Sequence, residues 1–272
     1  MKILVTIFTL FLVSPSFGQQ KGTEIVIIGS IHQPVPNFNS DILFNIFEQV
    51  KPDIILQEVD SSFFTEDFKF KKTSEENEQN ATEKYSVKHP QVLVRPFEFE
   101  GRNEYRRERG MVPTDNLTTK LLRNLYNKNV LTPQQKKILN TYYALTDELT
   151  AIASKSPENF NNAATDSIVE LRQFFQHKKL TEITNERKEF ASTYFTMPNG
   201  NKISYRDGYQ LWADFWDLRN RTMAKNIMKV AEQNSGKRIV VTTGFLHRYY
   251  ILNELKKLTQ GKGIQIKEFY SI

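Results

Sequence analysis

The chain of 272 residues contains no cysteine. That absence excludes a disulfide framework, a zinc–thiolate site, an iron–sulfur cluster, a thiol nucleophile and a lipid-modified cysteine. Long apolar runs are scarce as well. The run from Ile3 to Val13 is too short to cross a bilayer of ~30 Å as a helix, and no later stretch is apolar enough. Neither sign of charge dominates: 37 Lys and Arg stand against 31 Asp and Glu, a net +6. The basic clusters Lys69, Lys71, Lys72 and Arg106, Arg107, Arg109 interleave with acids, so they read as solvated surface and nucleic acid is not an expected partner. No stretch rich in Gly and Pro divides the chain, and no low-complexity repeat occurs. The length is enough for one large domain with a substantial core.

The first residues, MKILVTIFTLFLVSPSFGQQ, read as an export signal. Lys2 supplies the positive end, and Ser14-Pro15-Ser16-Phe17-Gly18 a small-residue cleavage region. Residues 1–18 are expected to be removed, which leaves 19–272 as a single exported domain, periplasmic or secreted. Loss of Lys2 takes the net charge from +6 to +5. An uncleaved anchor is the alternative; after cleavage no stable membrane insertion is expected.

Two βαβ patterns flank a helical middle. Residues 24–29 (EIVIIG) are a continuous β-branched run, as in a strand buried on both faces. A helix follows, capped by Asn39 or Ser40, with Ile42, Leu43, Ile46, Phe47 and Val50 at helical spacing. Lys51-Pro52-Asp53 ends it, and residues 53–58 form a second strand. Strand, helix, strand over so short a span implies that the two strands run parallel. The far end repeats the plan: strand 237–244, helix 247–258, strand 263–268. Residues 61–89 are polar and read as a mobile loop, and 91–96 as a third strand. Residues 116–235 read as mostly helical, with a hairpin near Pro198-Asn199-Gly200 and a helical insertion over about 116–205. The expected class is α/β, a largely parallel central sheet from two βαβ-type repeats with a helical insertion.

Four histidines occur, and two share a local frame. Gly29-Ser30-Ile31-His32 follows the first strand; Gly244-Phe245-Leu246-His247 follows the late one. A glycine permits a sharp exit from a strand, and each His then stands over the carboxyl end of a parallel sheet, where open α/β folds bind ligands. His89 and His177 lie in polar surroundings and read as solvated surface. Glu58 ends the second strand, with Asp60 on the same side. A carboxylate there can coordinate a metal or hold water as a general base. On the helix after Asp207, Trp212, Trp216, Met223, Ile227 and Val230 form a stripe that includes Arg219. A buried arginine requires an anionic partner, or an oxyanion formed during a reaction. Arg221 points elsewhere, in a solvated charge ladder.

The order of Val26-Ile27-Ile28-Gly29-Ser30-Ile31-His32, Ile54-Ile55-Leu56-Gln57-Glu58, Arg219-Asn220-Arg221-Thr222-Met223-Ala224 and Val240-Val241-Thr242-Thr243-Gly244-Phe245-Leu246-His247 resembles the TraB/Tiki (GumN-like) superfamily, related to erythromycin esterases and the ChaN haem-binding proteins. The resemblance covers roughly a third of the chain, at both ends of the domain. It implies one central cleft lined by His32, Glu58, Arg219 and His247. For Tiki-like members it implies a divalent-metal-dependent protease, and for erythromycin esterases metal-free hydrolysis. The chain departs from the pattern at Arg248-Tyr249-Tyr250, where a glycine is common, and at residues 33–38.

Three chemistries are open. His32, His247 and Glu58 could hold Zn, Mn or Co with a position left for water, and Arg219 would then face an oxyanion on an amide or ester substrate. The same residues could act without metal, Glu58 as base and a His as acid. Thirdly, the protein could bind haem without catalysis, through His or Tyr, with Tyr249 and Tyr250 near the cleft.

Overall fold

The computed structural model describes residues 22–272. The expected export signal lies outside the described residues. In chain order the elements are β1 (Thr23–Ser30), α1 (Ser40–Val50), β2 (Ile54–Gln57), α2 (Asn77–Lys88), β3 (Leu93–Pro96), α3 (Arg102–Glu108), α4 (Met111–Asn127), α5 (Pro133–Ala153), α6 (Ala163–Phe174), α7 (Leu180–Glu186), α8 (Lys188–Ser192), β4 (Tyr194–Thr196), β5 (Lys202–Ser204), α9 (Tyr205–Gln233), β6 (Arg238–Gly244), α10 (Phe245–Leu258) and β7 (Ile264–Lys267). The fold is α/β, as expected. Five strands pair in the order β3-β2-β6-β1-β7, all parallel.

Strand alternation explains the unbroken apolar runs. Ile25 and Ile27 of β1, Ile54 and Leu56 of β2, and Ile239 and Val241 of β6 point to one face of the sheet. There they meet Met223, Ala224, Ile227 and Met228 of α9 and Ile251 and Leu255 of α10. Val26, Ile28, Ile55 and Val240 point to the other face, against Leu43, Phe47 and Val50 of α1 and Ala81 and Tyr85 of α2. Both faces are covered, so neither set can be polar. Burying each such aliphatic side chain stabilises the fold by ~1.5–3 kcal/mol.

Local signals fix the ends of α1. The Asn39 side chain accepts from the amides of Asp41 and Ile42, each at 3.0 Å. Lys51 closes the helix at φ 53, and Pro52 prevents its continuation. The helical middle has a core of its own, with Leu122, Leu125, Ile138, Leu139, Leu180, Ile183 and Phe190 packed around Tyr209 of α9. The 29-residue α9 thus runs from this helical cluster to the sheet. The hairpin at Asn199-Gly200 is present, joining the antiparallel pair β4 and β5. Among the described residues no helix is long and apolar enough to cross a membrane.

One element corrects the sequence reading. Residues 61–89 are not a loop throughout: Asn77–Lys88 is α2. Its buried face includes Asn77, Glu78, Gln79 and Thr82 beside Ala81 and Tyr85, so it shows no apolar stripe.

Candidate functional site

Because β1, β2, β3 and β6 are parallel, their carboxyl ends share one edge of the sheet. Register then decides who meets whom. Gln57 pairs with Thr242, and Ser30 with Gly244. Glu58, one residue past Gln57, therefore lies beside Thr243 and Gly244. Thr243 Oγ1 donates to Glu58 Oε2 at 2.5 Å, and the Gly244 amide donates to the same oxygen at 2.8 Å. Arg219 reaches the edge from α9. Its Nη2 donates to Glu58 Oε1 at 2.5 Å, and its Nε to the Glu98 carboxylate at 3.0 and 3.1 Å. Nη2 also donates to Glu98, and Nη1 lies 2.8 Å from His247 Nε2. The anionic partner demanded by a buried arginine is thus a pair, Glu58 and Glu98. Of the five guanidinium N–H groups, one on Nη1 is left over.

The two GxxH histidines occupy opposite electrostatic environments. His247 is buried. Its Nδ1 lies 2.7 Å from Asn220 Oδ1, an acceptor, so Nδ1 carries the proton and Nε2 offers its lone pair to Arg219. Burial, reinforced by the Arg219 charge, pushes its pKa down to about 3. Trp216 stacks on the ring at 4.4 Å between centroids. The His32 side chain is 48% exposed. Its Nδ1 lies 2.7 Å from Glu78 Oε1, and that hydrogen bond raises its pKa to about 9 against the effect of burial. At neutral pH His32 is an imidazolium and His247 a neutral ring. Burial opposes ionisation of Glu58. The Arg219 and His32 charges around it, with the Thr243 hydrogen bond, still hold its carboxyl well below the usual range.

The glycines act through space and not through left-handed backbone. Gly244 has φ −52. A Cβ there would lie 3.0 Å from His32 Nε2 and 3.9 Å from Glu58 Oε2. The bare Cα is what lets the His32 ring cover the start of α10. A Cβ on Gly29 would lie 2.9 Å from Phe245 Cα and 3.1 Å from Asn161 Oδ1. Asn161 in turn accepts from the Gly29 amide at 2.6 Å and donates to its carbonyl at 2.9 Å.

No family model, curated protein or solved structure matches this chain.

The structure therefore places His32, Glu58, Arg219 and His247 at one edge, but as an ion-paired cluster. As a metal-ligand set, His32, His247 and Glu58 do not fit. Both nitrogens of His247 are engaged, one of them by a cation, and both oxygens of Glu58 already accept hydrogen bonds. A different set does converge among the described residues: one ligand atom each from His32, Glu76 and Glu78 lies within 4.8 Å of the others. Asp60 is outside the cluster; its side chain caps the turn at Ser61–Phe63. Tyr249 is buried and its hydroxyl accepts from Trp216 Nε1 at 3.3 Å, while Tyr250 packs on the Tyr249 ring. Arg221 is exposed, as expected.

Two histidines correct the expectation of solvated surface. His177 is buried between Trp212 and Trp216, with ring centroids 4.5 and 4.8 Å away. Neither of its ring nitrogens has a hydrogen-bond partner, and burial pushes its pKa well down. His89 pairs with Glu48 at 2.7 Å. The sequence reading also misses Glu78, Glu98 and Asn220. Glu98 carries a usable signal, standing two residues beyond Pro96 just as His32 stands two beyond Ser30. Glu78 carries none.

Proposed function

We propose that the protein is an exported hydrolase of an amide or ester bond, in which His32 activates water without a metal at the Glu58, Arg219, His247 cluster. The observation that carries this reading is the position of His32. Its Nδ1 is held by Glu78, and its Nε2 stands over Gly244 at the start of α10. Glu58 takes the Gly244 amide, and with no side-chain cap the amides that follow it in the first turn are left to meet a developing negative charge.

In the neutral ring, Nδ1–H donates to Glu78 and Nε2 takes a proton from water as the water oxygen adds to the substrate carbonyl. The carbonyl oxygen gathers charge at the α10 amides. Nε2–H then protonates the leaving nitrogen or oxygen as its bond to carbon breaks. Glu58, Arg219 and Glu98 are positioning residues here: they fix β2, β3 and α9 around the α10 N-terminus. The resemblance to erythromycin esterases agrees with metal-free hydrolysis, and the signal-like N-terminus with export.

The test is a screen of chromogenic esters and fluorogenic peptide amides with and without EDTA. Turnover should survive EDTA and fall by ~100-fold or more in His32→Ala. Absence of turnover, or equal turnover in the variant, would overturn the reading.

A second reading has one specific observation in its favour. Glu78 Oε2 is buried without a hydrogen-bond partner, next to His32 and Glu76. A divalent cation held by His32, Glu76 and Glu78 would satisfy it and would supply a Lewis acid at the same cleft. Elemental analysis of purified protein beside a Glu76→Gln/Glu78→Gln variant separates the two.

A further inference from the structure

A cavity of about 590 Å³ adjoins the cluster, within the size range of small-molecule sites. It shares two stretches of chain with the site: Ile31, which precedes His32, and Phe245 and Leu246, which precede His247. Leu149 and Ala153 of α5 and Val35 complete a largely apolar wall.

Each hydroxyl and amide side chain of this wall already donates to a backbone carbonyl. Thr146 donates to the Tyr142 carbonyl at 2.8 Å, Thr150 to Thr146 at 2.9 Å and Ser154 to Ala151 at 2.8 Å. Asn37 donates to the Ser154 carbonyl. One charged residue lines the cavity, Arg172 of α6. Its partners are all uncharged. Nε faces Thr146 Oγ1 at 3.4 Å, Nη2 donates to the Tyr142 hydroxyl at 2.8 Å, and Nη1 donates to Gln173 and Gln176. Among the described residues no Asp or Glu pairs with it. A half-buried guanidinium fixed by neutral groups, with one N–H left over, is an unneutralised charge beside an apolar space.

We propose that this cavity binds a small apolar monocarboxylate, a fatty-acid-like molecule whose carboxylate pairs with Arg172 and whose hydrocarbon lies against Ile31, Leu149, Phe245 and Leu246. A carboxylate supplies the missing anion and accepts from the one N–H left on Arg172 Nη2. A hydrocarbon suits walls that are mostly apolar and offer few free donors. The same shortage disfavours a peptide, whose buried amides would go unpaired. Binding requires no turnover, so this site stands apart from the hydrolase reading.

Calorimetric titration of the purified protein at pH 7 with decanoate, 1-decanol and N-acetyl-Leu-Leu-Leu tests the site. Decanoate should bind about tenfold or more tighter than decanol, the worth of a charge-assisted pair. Arg172→Gln should bring decanoate down to the level of decanol and leave decanol unchanged, and Arg172→Lys should recover part of the difference. Ala153→Trp, which fills the cavity and spares the charge, should weaken both ligands by about tenfold or more. Decanoate binding no tighter than decanol in the unaltered protein overturns the site, whether or not the Arg172 variants fold. So does tighter binding of the tripeptide, or Ala153→Trp leaving both ligands unaffected.

Discussion

Arg219 Nη1 meets His247 Nε2 at 2.8 Å, and this contact sets the chemistry of the cluster. A guanidinium cannot give up its proton in this setting, so the imidazole must be the acceptor and must be neutral. Asn220 fixes the tautomer from the other side at 2.7 Å. His247 is thereby withdrawn from proton transfer, and the role falls to His32.

A pH profile should display that division. A base must be neutral, and the pKa of His32 is raised to about 9. kcat/KM should rise roughly tenfold per pH unit up to that value and level off above it. Glu78→Gln removes the charged acceptor behind the shift, so the inflection should move down toward ordinary histidine values. An unmoved inflection in Glu78→Gln would assign it to another group.

Arg219→Met should be costly. It leaves the buried Glu58 carboxylate without its guanidinium and Glu98 with Arg102 alone, a loss of ~3–5 kcal/mol for a broken buried ion pair. Chemical denaturation should show a lower midpoint, partly restored by adding Glu58→Gln. Full stability of the single variant would mean the ion pairs contribute nothing.

The two motif glycines should fail differently. In Gly244→Ala the new Cβ presses on the half-exposed His32 ring, which can move aside. Stability should change little, while misplacement of the base costs up to ~100-fold in kcat/KM. In Gly29→Ala the new Cβ meets the backbone of Phe245, which cannot yield as easily. There the fold should lose ~1–3 kcal/mol. Thermal melts and kinetics on both variants check the contrast.

Acid should destabilise the fold through His247. Its folded pKa, about 3, lies below the ordinary 6.5. A depressed folded value gives stability that is present above 6.5 and is lost as pH falls toward 3, because the unfolded chain takes up the proton first. The melting temperature should hold near neutrality and drop steadily below pH 6.5. In His247→Gln that slope should be shallower. His32 works in the opposite sense: its stabilising pair with Glu78 is present below 6.5 and fades as pH rises through about 9. Solvent screening at that half-exposed ring keeps the second effect small.

Much of this was legible in the chain alone. Runs such as residues 24–29 and 237–244 announce strands buried on both faces, and the Asn39 cap and Lys51-Pro52 bound α1, because these signals are local. The paired GxxH motifs, Glu58 and Arg219 were legible for the same reason: strand ends and a helix stripe fix their direction. The fold then decided what could not be read locally. α2 was hidden because its buried face is polar, and with it went Glu78. Glu98 and Asn220 matter only because parallel register and the crossing of α9 bring them to Arg219 and His247. Protonation was decided last and entirely in three dimensions. Two histidines with the same motif carry different charge states because one rests on a carboxylate near solvent and the other is buried against a guanidinium, and burial and partners of that kind are set by distance in space and not along the chain.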